Sequence, residues 1–172
     1  MYRFQKIFLA VCLLFCSWQA SAAAAPVPVS DMSIYQFTKA VDQLAAQEEI
    51  QTYFSDYQHL TPYEKDGPLD VYALEYNDGA HRAVILYATR DASCIERITI
   101  LWPPGDEISM ENAADLGDLM GIVIGLTEEE SDEMTSQGNG ANVWCKAANR
   151  RICAEIVQTS AAQGFVLTAE DR

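Results

Sequence analysis

Basic residues are scarce in this chain. Eleven lysines and arginines stand against 25 aspartates and glutamates, for a formal net charge of −14. Nucleic-acid binding needs a basic footprint on phosphates, so that class of function is excluded on electrostatic grounds. Anionic lipid surfaces are disfavoured for the same reason. Histidine is almost missing, with His59 and His81 the only two. Together with a few scattered cysteines they make no zinc-ligand spacing, and no metal or cofactor is expected. Catalytic motifs are lacking as well. There is no Gly-x-Ser-x-Gly elbow, no phosphate loop and no His-Glu-x-x-His. Gly138-Asn139-Gly140 lacks a third glycine and precedes a strand pattern, not a helix.

Long apolar runs are also missing. Ile7 to Phe15 is apolar apart from Cys12, but a helix needs roughly 20 such residues to span a bilayer. The stretch Ala113 to Leu126 carries Asp115 and Asp118, and carboxylates at mid-bilayer are costly. The first run suits the core of a signal peptide. Arg3 and Lys6 precede it, and Ala20-Ser21-Ala22 follows with a small-x-small pattern. The chain is therefore expected to be exported to the periplasm or secreted, with cleavage after Ala22 and Ala24 or Ala25 as alternatives. The bulky Phe15 before Cys16 argues against a lipoprotein anchor. Residues 1–22 are read as the signal, 23–31 as a short linker and 32–172 as a single domain. Losing Arg3 and Lys6 with the signal leaves nine basic against 25 acidic residues, or −16.

What is present reads as a folded α+β domain. Hydrophobic residues make up 49% of the chain and charged residues 21%, which are globular proportions. Ser33 followed by Gln36 is a capping box, and Ile34, Phe37, Val41, Leu44 and Ala45 recur at helical spacing over about 32–49. Residues 51–68 hold Tyr53, Phe54, Tyr57 and Tyr63 and fit either a second helical stretch or an irregular strand. Three strands are expected at 71–76, 82–89 and 94–102, separated by Asn77-Asp78-Gly79 and Arg90-Asp91-Ala92-Ser93. Ser109 is expected to cap a helix over 110–126. In that helix Gly117, Gly121 and Gly125 form a stripe, a pattern that suggests close approach to another backbone. Thr127 to Glu130 starts a short acidic helix ending near Gly138. Strands near 142–147, 151–159 and 165–169 close the chain. The expected architecture is two-layer: an antiparallel sheet of five to six strands with two to three helices on one face, in the order α-βββ-α(α)-βββ.

Five cysteines are present, and Cys12 and Cys16 would leave with the signal. If Asn149 is the tip of the last hairpin but one, Cys145 and Cys153 are equidistant from it and would face each other. They are therefore expected to form a disulfide, with Cys94 as the left-over thiol. A bond from Cys94 to one of the two is the alternative.

The functional expectation is a non-enzymatic, protein-binding module of inhibitor, immunity or secretion-accessory type, with a basic partner attracted by the acidic surface. The candidate binding residues are Tyr53, Tyr57 and Tyr63 in the aromatic stretch and Glu128, Glu129, Glu130, Asp132 and Glu133 where carboxylates are densest. The five carboxylates are read as solvent-facing at a helix N-terminus. They lack the alternating ligands and the glycine of a calcium loop. Two other readings stand beside this one: a small-ligand binder walled by the aromatics of 53–63, and a hydrolase using dispersed carboxylates.

Overall fold

A computed structural model describes residues 27–48, 54–60, 69–76, 82–89, 93–105, 107–137 and 140–171. Helix α1 is Ile34–Gln47, followed by strands β1 Phe54–Leu60, β2 Leu69–Tyr76, β3 Arg82–Thr89 and β4 Ile95–Trp102. Helices α2, Glu107–Val123, and α3, Glu128–Gln137, come next, then β5 Ala141–Cys145, β6 Arg150–Gln158 and β7 Gln163–Glu170. The class is α+β. The described strands form one seven-stranded sheet in the order β1-β2-β3-β4-β7-β6-β5, and every pairing is antiparallel. One strand more than the expected five to six appears because part of the ambiguous 51–68 stretch is β1, paired with β2 across a bulge between Ser55 and Gln58.

The two halves of the sheet are joined by β4 and β7, with Ile98 opposite Leu167 and Trp102 opposite Gln163. Ile98, Ile100 and Trp102 alternate along β4, and Ile152 faces Val143 and Ala169 across β6. These residues share one cluster with Ile34, Phe37 and Val41 of α1, Leu116 and Met120 of α2 and Met134 of α3. All three helices thus bury their apolar sides on the same sheet face.

Local signals account for the helix ends. The Ser33 N–H donates to Gln36 Oε1 at 3.0 Å, and the Gln36 N–H donates to Ser33 Oγ at 3.3 Å, so the expected capping box is formed. Helix α2 starts earlier than its expected cap, at Glu107, which places Ser109 inside the first turn. The turn at Pro103-Pro104-Gly105, with Gly105 at φ 77°, ends β4 immediately before it. At the other end, the Leu126 N–H bonds the Gly121 carbonyl at 2.9 Å and the Gly125 N–H bonds that of Ile122 at 3.0 Å. This is a Schellman cap, and Gly125 has the positive φ, 105°, that it requires.

The glycine stripe does not meet another backbone. A Cβ at Gly117 would lie 2.6 Å from Phe165 Cζ, and one at Gly121 would lie 3.3 Å from both Leu126 Cδ1 and Ser131 Oγ. Gly125 is outside the helix altogether. The stripe therefore has two causes, side-chain packing and a helix cap. Gly121→Leu is expected to cost ~1–3 kcal/mol by overpacking, whereas leucine at exposed Asp115 changes little. Thermal melts of the two variants check this, and equal melting temperatures would count against the packing account.

The expected Cys145–Cys153 disulfide is not formed. No disulfide joins Cys94, Cys145 and Cys153. Cys145 is opposite Arg150 and Cys153 is opposite Asn142. The turn occupies 146–149, with Asn149 at its end in a left-handed conformation, φ 52°. The hairpin centre therefore falls between Ala147 and Ala148 and not at Asn149. The register differs from the expected one by an odd number of residues, which sends the two thiols to opposite sheet faces. Non-reducing peptide maps should show all three thiols unlinked. Cys145 is fully buried and should label only on unfolding. Burial, then Glu170, push the Cys153 thiol above its ordinary value of 9.0. Its alkylation should therefore accelerate only at a pH above the usual thiol range.

The N-terminal segment is part of the sheet. Val27 bridges Ala169 of β7, and Ser30 bridges Ile95 of β4. The β4–β7 ladder runs from Trp102–Gln163 to Ile98–Leu167, and beyond that point residues 27–30 fill the fork between the two strands. Ser30 and Ile95 exchange both backbone hydrogen bonds, at 3.0 and 2.8 Å, and Val29 is fully buried.

Candidate functional site

A groove opens between α2 and the helix-facing side of β6 and β7. Its origin is a run of small or short side chains. Ala114 and Gly117 lie one helical turn apart on α2 and leave the floor accessible. Ala154, Ile156, Phe165 and Leu167 of the sheet form that floor, and Met134 of α3 closes one end. Phe165 lies against Gly117 and stacks at a tilt on the buried Trp102, with ring centroids 6.1 Å apart.

The volume is 170 Å³, below the ~300–1,000 Å³ of common small-molecule sites. The scale suits one inserted side chain. Ile156 is 55% exposed at its mouth, and Met110, one turn before Ala114 on the same helix face, is 48% exposed. Exposed large apolar residues are rare on this molecule; among the described residues only Tyr35 joins them.

One ionisable side chain belongs to the groove wall. Asp118 accepts a hydrogen bond from the Ser131 hydroxyl at 2.8 Å, and Ser131 is itself buried. This contact ties α2 to α3 and fixes the carboxylate on the wall. Glu155 also lines the groove, but strand alternation sends its side chain to the other sheet face, beside Cys153.

The residues expected to bind lie elsewhere. Tyr53 and Tyr63 fall outside the described residues. Tyr57 falls within β1, and its side chain is likewise outside them. On α3, Glu128, Glu129, Asp132 and Glu133 are exposed, as expected. Glu130 departs from that reading, being 6% exposed. Its Oε2 accepts the Thr127 N–H at 3.0 Å, its own N–H donates to Thr127 Oγ1 at 3.2 Å, and Lys146 Nζ stands 3.6 Å from Oε1. The capping box that identifies the helix start in the sequence thus also turns this carboxylate inward. It is a structural group.

Elsewhere, burial raises the Glu96 carboxyl above its ordinary range, opposed by the adjacent Arg97. Among the described residues, no three His, Cys, Asp or Glu side chains are grouped to hold a metal ion. No described helix is long and apolar enough to cross a membrane. The groove itself was not legible beforehand. Its two sequence traces are the small residues of the α2 stripe and the period-two Ile152, Ala154, Ile156 pattern continuing to an exposed position. The chain matches no protein-family model, curated protein or solved structure.

Proposed function

We propose that this protein is an exported, non-enzymatic binding module whose partner is another protein with a basic surface. The observation that carries the reading is the groove: an apolar floor with exposed Ile156 at its mouth and a volume suited to a side chain. Helix α3 links it to the acidic surface. Met134 points into the groove, while Glu128, Glu129, Asp132 and Glu133 face solvent from the same helix. An apolar seat beside a single-sign charged rim is the arrangement of an interface core and its steering surface. The N-terminal signal pattern supports export, and the charge of −14 favours basic partners.

The test is kinetic. A partner captured from a periplasmic or secreted extract should associate more slowly as salt rises, because the screening length falls from about 10 Å at 0.1 M to about 3 Å at 1 M. Neutralising Glu128, Glu129, Asp132 and Glu133 to Gln or Asn should slow association and leave dissociation nearly unchanged. Glu130 is spared because its substitution would disturb the α3 cap. If neither salt nor these substitutions move the on-rate, the acidity is a solubility device and the basic-partner reading fails.

A further inference from the structure

We infer that the α2–β6–β7 groove recognises a short segment of the partner in which one apolar side chain is flanked by lysine or arginine. The inference rests on the protein-binding reading above and adds where and what is bound. Three observations lead to it. The floor offers only hydrocarbon and aromatic surface, from Ala114, Gly117, Ile156, Phe165 and Leu167, so the inserted group is apolar. The ionisable side chain on the wall is the carboxylate of Asp118, oriented by the Ser131 hydroxyl at 2.8 Å. That neutral donor leaves the negative charge in place, and no basic residue lines the groove. A cation next to the inserted side chain therefore meets attraction, and a carboxylate there meets repulsion.

Charge also selects among occupants. A second copy of this chain would bring another −14 against the first, which opposes self-association. A small apolar molecule would gain nothing from Asp118 and would fill a site smaller than usual for ligands. A basic segment uses both the floor and the wall.

The experiment uses three capped peptides, Gly-Lys-Leu-Lys-Gly, Gly-Lys-Ser-Lys-Gly and Gly-Glu-Leu-Glu-Gly, titrated into the full protein and followed by backbone amide NMR shifts. The first should shift the amides of Ala114, Gly117 and Ile156 in a saturable way. The serine peptide should bind about tenfold more weakly, the factor expected from losing one buried apolar side chain. The acidic peptide should not bind there. Ala114→Trp, at an exposed position, should abolish the shifts while amide dispersion shows an intact fold. Asp118→Asn keeps an acceptor for Ser131 and should weaken only the basic peptides. Equal binding of all three peptides, or binding indifferent to Ala114→Trp, overturns the inference. Shifts of the same amides that grow with protein concentration alone would assign the groove to a second copy and overturn it too. A captured partner that still binds the Ala114→Trp protein at full affinity leaves the protein-binding reading standing and removes the groove from it.

Discussion

Gly164→Ala is expected to be the most damaging single methyl addition in this protein. A Cβ at this position would lie 2.2 Å from the Ile100 carbonyl oxygen and 2.6 Å from Leu101 Cδ2. The first of these is backbone in the neighbouring strand, so no rotamer change relieves it. Gly164 stands opposite Leu101 in the β4–β7 ladder, the seam joining the two halves of the sheet. To admit the methyl group, the strands must part where nothing else connects β1–β4 to β5–β7 by hydrogen bonds of the sheet. The expected cost is about 3 kcal/mol or more, at the upper end for overpacking. For a domain of this size that is a fall in melting temperature of roughly 10 °C. Gly140→Ala is the matched control. Gly140 has φ 80° and nothing within 4 Å of the added atom, so it carries conformational strain of ~1–2 kcal/mol without a collision. A Gly164→Ala protein as stable as the Gly140→Ala protein would show that the seam is not as tight as described.

Arg150→Ala should release the N-terminal segment from the sheet. Arg150 is buried, its side chain only 10% exposed, and its guanidinium donates to the Pro28 carbonyl, to Asp31 Oδ2 at 2.5 Å and, through Nε, to the Ala148 carbonyl at 3.3 Å. One side chain from β6 thus clamps both ends of the 28–31 turn. Its removal leaves the Pro28 and Ala148 carbonyls without this donor. Charge-assisted bonds are each worth ~1.5–3 kcal/mol, so a loss of about 2–4 kcal/mol is expected. Asp31, with 74% of its side chain exposed, rehydrates easily, so Asp31→Asn should cost only ~0–1 kcal/mol. The two effects separate in hydrogen exchange. With Arg150→Ala, the amides of Ser30 and Ile95, which bond each other's carbonyls, should lose protection before the rest of the sheet. If they stay protected while the variant unfolds as readily as wild type, the clamp is ornamental.

Much of the local structure is legible in the sequence, and the reason is range. Ser33 and Gln36 cap one another across three residues, and the Ile34, Phe37, Val41 spacing needs only the helix itself to become a face. The strands at β2, β3 and β4 follow from β-branched and aromatic runs between turn residues. β1 was ambiguous because Phe-Ser-Asp-Tyr-Gln-His-Leu alternates poorly; what makes it a strand is the free edge of β2. Glu130 shows the same limit within a helix. Its cap was readable, but its burial under Lys146 depends on where the β5–β6 turn comes to rest.

The amino-acid sequence by itself determined the acidity of the surface, the helix starts at Ser33 and Thr127, and the α+β class, because each depends on composition or on residues a few positions apart. The tertiary structure alone decided that β7 inserts beside β4, that residues 27–30 fill the fork between them, that Cys145 and Cys153 face opposite sides of the sheet, and that Ala114 and Gly117 stand over Ile156 and Phe165 to make a groove. These outcomes turn on strand register. A shift of one residue reverses every side chain of a strand, and the energy that selects one register over the next is summed over a sheet face assembled from distant parts of the chain.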